Sequence, residues 1–420
     1  MKTFFYISLL FILIISQIAC KKKDLNEAPS LNINFPVENF TVQSVDTFEV
    51  KAVATDDNAD NLRLTIYVAD INLQAVSSAA VYNFSGNSAN LDVLYELNER
   101  WLSSGVYYLV VTASDGELLT RKFVKLYVSS ISKKLSGYVV GIKSGQNCEV
   151  YMGDTNFVFT KKLTISACLD GVFDSYNNYI NVLTEDGKLV AYNYPFLNEV
   201  YSLQGLKKVG IPFKGDVAWK YPYIYVTNAN GSIMAVDNNG QPRNSFRTLF
   251  SPYLLVYWQD KWVCLSDLYP QNYSWIEVPQ NSKNYQNNFK MNDLVCLDNE
   301  RCLAIQQDGN FVKFYTYKPE INYLNSFGHT QNGYYNGSLN INGQVLLSID
   351  DEMYEMNPIY GTLTSVYQGN YLSLLKYEST HQLIYGVNNN IFVALKENPI
   401  QMINSFSFNG NIVFYDFIYE

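Results

Sequence analysis

The sequence predicts an all-β protein: a β-sandwich followed by a seven-bladed β-propeller that the C-terminal strand closes. Two observations support this prediction. Residues 30–130 contain several short segments in which apolar and polar residues alternate, the pattern of half-buried strands in a sandwich. Residues 131–420 repeat one phrase, two strands around a tight turn, with a period of about 40 residues that is typical of propeller blades.

The first 29 residues carry the pattern of an export signal and an anchor. Residues 4–19 are largely apolar, too short for the about 20 residues of a membrane-spanning helix but long enough for a signal core. The segment ends in QIAC, which resembles the bacterial lipoprotein signal. That resemblance implies that residues 1–19 are removed, that Cys20 is lipidated, and that residues 20–29 form a tether. An ordinary signal peptide with a chance cysteine is the alternative.

The tether also bears on location. Residues 21–23 are three lysines, which we interpret as a solvated linker because the rest of the chain is acidic. Asp24 and Glu27 resemble the acidic residues that route some lipoproteins to the cell surface. We therefore expect an outer-membrane protein held by its lipid alone, with the cell surface favoured over the periplasmic face.

The charge balance excludes one class of partner. The net charge is -9, and no basic block follows the tether. Phosphate binding needs clustered Lys and Arg, so no nucleic-acid partner is expected. The 35 Tyr and 24 Phe favour strands over helices.

The cysteines show no metal-binding pattern. Those after Cys20 are Cys148, Cys168, Cys264, Cys296 and Cys302. They show no C-x-x-C spacing, and five cannot all pair with each other. The histidines, His329 and His381, are far apart in sequence, so no metal site is expected. We interpret most of these cysteines as small buried apolar residues and leave their pairing open.

The sandwich segment carries one family resemblance. The sequence GVYYLVVTASDG, Gly105 to Gly116, resembles the closing strand of bacterial immunoglobulin-like modules. The resemblance implies an immunoglobulin-like domain that acts as a spacer.

An acidic turn in the same domain is a candidate calcium site. Asp56, Asp57, Asp60 and Asn61 lie in the segment TDDNADN, and such oxygen ligands suit Ca²⁺. Asp and Asn also dominate turns for conformational reasons. We favour the turn and keep calcium as the alternative.

The propeller prediction depends on counting repeats. The phrase begins at Tyr138, Tyr179, Tyr223, Trp262, Cys302, Val345 and Leu383. Another apolar segment precedes each phrase except the first, and the missing one appears in residues 410–420. We expect this C-terminal segment to pair with the segment around Tyr138, because a closed ring leaves no open edge strand. Six and eight blades are the alternatives, since the fourth phrase is irregular.

One repeat also resembles known propellers. The sequence YVTNANGSIMAVD is similar to the repeats of YVTN and quinoprotein-type propellers. The resemblance implies the fold rather than an activity. The tryptophan-docking residues of quinoproteins are missing, so no cofactor is expected.

The sequence predicts no catalytic residue. His329 and His381 lie in turn-like segments and belong to no nucleophile motif. Glycoside hydrolysis would need two facing carboxylates. The candidates for that role are Asp186, Asp308, Asp350 and Asp351. All lie in predicted hairpin turns, which prefer Asp for conformational reasons. A glycoside hydrolase is therefore only the alternative.

Polar turns supply the candidate binding site. In a propeller the hairpins between second and third strands ring one face of the channel. The residues predicted to bind a ligand there are Asn228, Asn230, Asp308, Asp350, Asn388 and Trp219. Amide and acid groups beside aromatic rings suit sugars, peptides or another small polar molecule. Ordinary solvation of a rim explains the same residues.

Three functional hypotheses follow. The first is a non-catalytic binding lipoprotein that captures a small polar nutrient or docks on an outer-membrane transporter or another envelope protein. The second is a periplasmic scaffold, resembling the propeller lipoprotein of outer-membrane barrel assembly. The third is a hydrolase that uses channel carboxylates.

Overall fold

The computed structural model describes residues 26–420 except Asn58, Asn72 and Asn370. Cys20 and the predicted signal therefore lie outside the described residues. The chain divides into two compact units between Ile131 and Ser132. Within the described range the regular structure is β apart from two short 3₁₀ helices, Pro279–Asn281 and Pro319–Ile321. No helix in this range is long and apolar enough to cross a membrane.

The N-terminal unit is built from two sheets. Its strands are β1 (Ser30–Phe35), β2 (Phe40–Gln43), β3 (Val45–Thr55), β4 (Asn61–Ala69), β5 (Ala80–Ser85), β6 (Ser88–Asn98), β7 (Gly105–Ser114) and β8 (Leu119–Ser129). One sheet has the order β1-β3-β6 and the other β2-β8-β7-β4-β5. Strands β2 and β8 pair in parallel. Alternate residues of β3 and β4 are buried, among them Val50, Ala52, Leu64 and Ile66.

The acidic segment between β3 and β4 forms a connection of five residues. Asp56 is buried, and its backbone N–H donates to Asn87 O at 2.9 Å. No cluster of three or more His, Cys, Asp or Glu that could hold a metal occurs among the residues that the structure describes.

The C-terminal unit consists of four-stranded antiparallel sheets, seven in the described part of the chain. Sheet 1 contains β9 (Leu135–Ser144), β10 (Asn147–Asp154), β11 (Phe159–Ser166) and β36 (Asn411–Tyr419). Sheet 2 contains β12 (Cys168–Asp174), β13 (Tyr179–Thr184), β14 (Leu189–Asn193) and β15 (Glu199–Leu203). Sheet 3 contains β16 (Val217–Lys220), β17 (Tyr223–Asn228), β18 (Ser232–Val236) and β19 (Pro242–Arg247). Sheet 4 contains β20 (Ser251–Trp258), β21 (Lys261–Asp267), β22 (Ser274–Val278) and β23 (Lys283–Gln286).

The remaining three sheets follow the same order. Sheet 5 contains β24 (Asp293–Cys296), β25 (Cys302–Asp308), β26 (Phe311–Lys318) and β27 (Tyr323–Asn332). Sheet 6 contains β28 (Tyr335–Ile341), β29 (Gln344–Ile349), β30 (Glu352–Met356) and β31 (Leu363–Gln368). Sheet 7 contains β32 (Ser373–Glu378), β33 (Leu383–Asn388), β34 (Ile391–Lys396) and β35 (Gln401–Ser407).

The C-terminal strand belongs to the first of these sheets. In the pairing of β36 with β9, Phe417 is opposite Tyr138 and Ile412 is opposite Ile142. The expected partner of the C-terminal segment is thus confirmed. Every other sheet takes its four strands from one continuous stretch of chain.

Apolar contacts join each sheet to the next. Strand β36 contacts β12, and β12 contacts β16. Strand β17 contacts β20, which contacts β24, and β28 contacts both β24 and β32. One apolar cluster unites Tyr385 and Phe392 of sheet 7 with Tyr138 and Phe417 of sheet 1. The last sheet therefore packs on the first, as in a β-propeller.

The cysteines differ in part from the sequence-based interpretation. Cys148 of β10 and Cys168 of β12 form a disulfide, so the bond joins sheet 1 to sheet 2. Their spacing could not predict this pairing, because it depends on how neighbouring sheets pack. Cys264 and Cys302 are buried free thiols, as expected for small apolar residues, and Cys296 is a partly buried free thiol.

Candidate functional site

One face of the C-terminal unit is formed by two kinds of segment. They are the turns between the second and third strands and the connections from one sheet to the next. Several of these turns accept hydrogen bonds from the connection that follows them. Thr248 N donates to Gly231 O at 3.0 Å, and Phe408 N donates to Asn390 O at 2.8 Å. We call the surface made by the turns at 145–146, 185–188, 229–231, 268–273, 309–310, 350–351 and 389–390, with the following connections, the turn face.

The predicted asparagines and aspartates lie on this face but serve their own turns. Asn228 Oδ1 accepts from Asn230 N at 2.9 Å. Asp350 has a positive φ of 51°, and its Oδ1 accepts from Tyr334 N at 2.8 Å. Asp308 pairs with Lys313, and Asn388 ends β33 beside its turn. These residues lie in or beside the turns of four different sheets.

Trp219 does not belong to the turn face, and this part of the prediction is wrong. In the β16–β17 pair it is opposite Ile224, one position from the turn at 221–222. That turn lies at the other end of the strands from Asn228. The antiparallel order of the strands accounts for this position, because the turn after Trp219 and the turn after Asn228 lie at opposite ends of β17.

The candidate catalytic residues are also dispersed. Asp186 is paired with Lys188 at 2.8 Å in sheet 2, whereas Asp308 is in sheet 5 and Asp351 in sheet 6. His329 lies in strand β27 rather than in a loop. His381 Nδ1 is 2.9 Å from Glu378 Oε2, within the turn between β32 and β33.

A pocket opens on the turn face where the connections around sheets 3 and 4 meet. Its volume is about 250 Å³. It is lined by Ile211, Pro212, Lys214, Ser251, Tyr253, Asp267, Tyr269, Pro270, Gln271, Asn272 and Lys290. A second cavity of about 150 Å³ shares Ile211, Ser251, Asp267 and Tyr269 and includes Asn230. Of the residues predicted to bind a ligand, Asn230 is the one that lines a described cavity.

Two ammonium groups converge on one carboxylate in this pocket. Asp267 contacts Lys290 directly, and its Oδ2 is 3.6 Å from Lys214 Nζ. Among the described residues that line the pocket, Asp267 is the one acidic side chain and Lys214 and Lys290 are the basic ones. The formal charge of the pocket is therefore positive. Burial and the nearby Lys214 lower the pKa of Lys290 to about 7.

The ring of Tyr253 forms a fixed wall of the pocket. Its hydroxyl donates to Met291 O at 2.8 Å and is 2.9 Å from Ser274 Oγ. The ring lies 3.9 Å from Lys290 Nζ and 5.9 Å from Lys214 Nζ, within the range of cation–π attraction. With Pro212 and Pro270, it gives the pocket an apolar side next to its charges.

Sequence reasoning missed a set of carboxylates on the first strands. Asp416 Oδ2 accepts from Phe173 N at 2.9 Å, and Asp170 Oδ2 accepts from Val217 N at 2.9 Å. Asp216 Oδ2 accepts from Leu255 N at 2.6 Å. Each carboxylate thus binds the backbone of the next sheet. The available signal was an Asp within each of the apolar segments LDGVF, DVAWK and YDFIY.

Asp170 and Asp216 also interact with each other. Burial raises the pKa of both carboxyl groups, and their mutual interaction raises the pKa of Asp216 further while it lowers that of Asp170. Two carboxyl groups that interact in this way disfavour the doubly ionised form of the pair. Because each also accepts a backbone N–H, these carboxyls tie neighbouring sheets together.

No protein-family model matches the chain, and no curated protein matches it. Among solved structures it is similar to the β-propeller domain of Swd1 from Myceliophteria thermophila, with 10% identity and a TM-score of 0.44 over 58% of this chain and 87% of that one. It is also similar to a quinonprotein alcohol dehydrogenase-like protein from Bacteroides thetaiotaomicron, with 10% identity and a TM-score of 0.41 over 94% of this chain and 97% of that one. Because both TM-scores are below 0.5, we assign the fold from the strand pairing alone, and we infer no activity for this chain from either structure. The chain is thus an all-β protein with a β-propeller arrangement of four-stranded sheets.

Proposed function

We propose that this protein is a non-catalytic, lipid-anchored binding protein that captures a small anionic ligand on the turn face. The observation that carries the proposal is the meeting of Lys214 and Lys290 at the single carboxylate of Asp267. A ligand carboxylate or similar anion would balance the remaining positive charge. It would also gain charge-assisted hydrogen bonds in a partly enclosed site.

The shape and walls of the pocket narrow the ligand class. A volume of about 250 Å³ lies below the range of about 300–1,000 Å³ for drug-sized ligands. Tyr253, Tyr269 and the two prolines offer apolar contact, while Gln271 and Asn272 offer amide groups. An acidic sugar, or an amino-acid-sized molecule with a free carboxylate, meets these requirements.

The proposal extends to the architecture and the anchor of the chain. We propose that the seven sheets are the blades of one closed seven-bladed propeller, with β36 completing the first blade. The N-terminal unit would be an immunoglobulin-like spacer, and a lipid on Cys20 would hold the chain at the outer membrane, with the cell surface favoured.

Docking on an outer-membrane transporter or another envelope protein is part of the same proposal. Val209 is 98% exposed in the connection that also supplies Ile211 and Lys214 to the pocket, so an apolar contact point lies beside the binding site. A periplasmic scaffold and a glycoside hydrolase are the alternatives. The hydrolase is less favoured because Asp186 and Asp308 are each paired with a lysine close to them in the chain.

The proposal is tested by binding measurements with matched ligand pairs. Glucuronate is compared with glucose, and N-acetyl amino acids are compared with their amides, by thermal shift and calorimetry. An anionic member should bind, and its neutral counterpart should bind at least about tenfold more weakly, a difference of about 1.4 kcal/mol. Absence of binding by every anion, or equal binding by the neutral partners, would contradict the proposal.

A matched variant pair locates the site. Lys290→Gln should reduce affinity for the anion at least about tenfold, because it removes one charge–charge contact. Lys188→Gln is the control, since Lys188 also lies on the turn face and pairs with an aspartate, Asp186, but outside the pocket. Equal losses in both variants would indicate general surface attraction instead.

Location has its own test. Protease treatment of intact cells should digest the protein if it faces outward and spare it if it lies in the periplasm. The mass of the mature N-terminus should show an acylated Cys20. An N-terminus at any other residue would remove the anchor from the proposal without affecting the pocket.

A further inference from the structure

Cys296 and Cys302 face each other across the first two strands of sheet 5. They are register partners in the antiparallel pair of β24 with β25. The next pair toward the turn is bonded, with Leu297 N donating to Arg301 O at 2.9 Å. Since bonded and non-bonded pairs alternate along an antiparallel ladder, the cysteines occupy a non-hydrogen-bonded position.

That position has the geometry a disulfide needs. Opposed residues of this kind have Cα atoms about 4.5 Å apart, and their side chains approach more closely than in bonded pairs. Disulfides span Cα distances of about 4.4–6.8 Å. Both cysteines also pack in one apolar cluster with Trp258 and Tyr317, so their side chains lie on the same side of the sheet.

The two thiols have different environments. Cys302 is buried, whereas Cys296 is partly exposed. The interaction between the thiols lowers the pKa of Cys296 and raises that of Cys302. Cys296 therefore has both the access and the thiolate character that thiol–disulfide exchange requires.

We propose that Cys296 and Cys302 are a modification site at which a disulfide forms and opens by exchange with external disulfides. The Cys296 thiolate attacks one sulfur of an external disulfide, such as oxidised glutathione, and releases the first thiol. The Cys302 thiolate then attacks Cys296 Sγ of the mixed disulfide and releases the second thiol. The two cysteines lose two electrons and two protons, and the external disulfide gains them.

The bond would close a turn that connects three sheets. Within the Leu297–Arg301 turn, Asp298 O accepts from Trp258 Nε1 of sheet 4 at 2.9 Å. Leu297 O accepts from Asn340 Nδ2 of sheet 6 at 3.1 Å. A disulfide at the base of this turn would restrict its opening and hold those contacts in place.

The remaining cysteines provide internal controls. Cys264 is buried, and its register partners are Leu255 and Glu277, so it has no cysteine opposite it. Cys148 and Cys168 already form a buried disulfide between sheets. The exposed partner at Cys296 makes its bond the more accessible of the two to a mild reductant.

The test is peptide mapping of the native, purified protein after incubation in glutathione buffers of graded ratio. Free thiols are alkylated under denaturing conditions. Trypsin cleaves after Lys290, Arg301 and Lys313, so the two cysteines fall on separate peptides. Under oxidising buffer we expect these peptides to appear linked, while Cys264 stays fully alkylated. Mild reductant should separate them and leave Cys148 joined to Cys168.

Variants sharpen the result. Cys296→Ser should leave Cys302 alkylated in every buffer, and Cys264→Ser should leave the linked peptide unchanged. The proposal is overturned if the wild-type protein shows both cysteines fully alkylated in oxidised glutathione, if either pairs with another cysteine, or if the bond resists reductant longer than Cys148–Cys168. The wild-type mapping decides the matter even if a variant fails to fold.

Discussion

The hydroxyl groups of Tyr138 and Tyr385 are hydrogen bonded at 2.9 Å although the two residues are 247 positions apart in the chain. Tyr138 is 2% exposed and Tyr385 1%. The bond connects β9 of sheet 1 to β33 of sheet 7, so it lies where the first sheet packs on the last. A second bond runs the same way, from Tyr415 OH to Tyr385 O at 2.9 Å.

We expect removal of the tyrosine pair to weaken this junction. Tyr138→Phe or Tyr385→Phe should each lower the free energy of unfolding by about 1–2 kcal/mol, because a buried hydroxyl then loses its partner. The double variant should cost less than the sum, since no unpaired hydroxyl remains. Tyr334→Phe is the control, an exposed hydroxyl bonded to Asn310. Urea unfolding of the wild-type protein and the four variants measures these losses, and additive losses in the double variant would contradict the coupling.

The ring of Phe414 should make Gly141 intolerant of a side chain. A methyl group on Gly141 of β9, or on Gly171 of β12, would overlap the Phe414 ring of β36. Gly141→Ala should therefore destabilise the protein by about 1–3 kcal/mol through overpacking. Gly105→Ala is the control, because the nearest atom to its added methyl group is 3.8 Å away. Equal midpoints of denaturation for the two variants would count against the position of β36.

The carboxyl pair of Asp170 and Asp216 predicts a specific pH dependence. Burial raises both pKa values above their ordinary value, so the neutral form is favoured in the folded protein. The neutral pair therefore stabilises the folded protein fully when the pH is below the pKa of these carboxyl groups in the unfolded chain. This stabilisation is lost as the pH rises through their pKa in the folded protein.

The substitution Asp216→Asn removes this loss. Its amide oxygen can still accept from Leu255 N, and no second charge forms beside Asp170. The variant should melt a few degrees above the wild-type protein at pH 8, and the difference should shrink toward pH 4. Asp308→Asn, in an exposed turn, should leave the wild-type pH dependence unchanged. If Asp216→Asn melted below the wild-type protein at pH 8 but not at pH 4, the ionised pair would be the form that stabilises the fold, which would contradict this prediction.

Asp267 should compete with the proposed ligand of the pocket. It is the carboxylate that Lys214 and Lys290 now share, and Asp267→Asn removes its charge while keeping its size. Affinity for an anionic ligand should rise several-fold, with a smaller or no change for a neutral one. Calorimetry at low and high salt measures both, because the gain should decrease as salt screens the lysines. A fall in anion affinity would mean that Asp267 orients the ligand instead.

The repeats allowed much of the strand order to be predicted, because each blade buries an apolar pair of strands around a polar turn. Tyr223–Asn228 and Ser232–Val236 follow the phrase YIYVTNANGSIMAVD closely. The missing first strand of the opening repeat was also readable, since Gly410–Glu420 had no partner of its own in sequence. The local sequence pattern was sufficient to predict strand pairing wherever the paired strands are consecutive in the chain.

The site was less predictable because its groups come from irregular connections. Lys214 and Lys290 lie 76 positions apart, in segments without periodicity, and meet only when sheets 3 and 4 pack. The Cys148–Cys168 bond likewise depends on the contact between two sheets. Trp219 was placed in the right strand but assigned to the wrong end, although consecutive antiparallel strands put the turn after Trp219 opposite the turn after Asn228.

Native-state hydrogen exchange of β36 tests most directly the claim that the C-terminal strand closes the ring. The amides of Ile412–Tyr419 that bond to β9 should exchange as slowly as those of β9 itself, because both are released only when the unit unfolds. The exposed outer strand β35 (Gln401–Ser407) should exchange faster and serves as the comparison. Rapid exchange throughout β36, while sheets 2–6 stay protected, would contradict the closed ring.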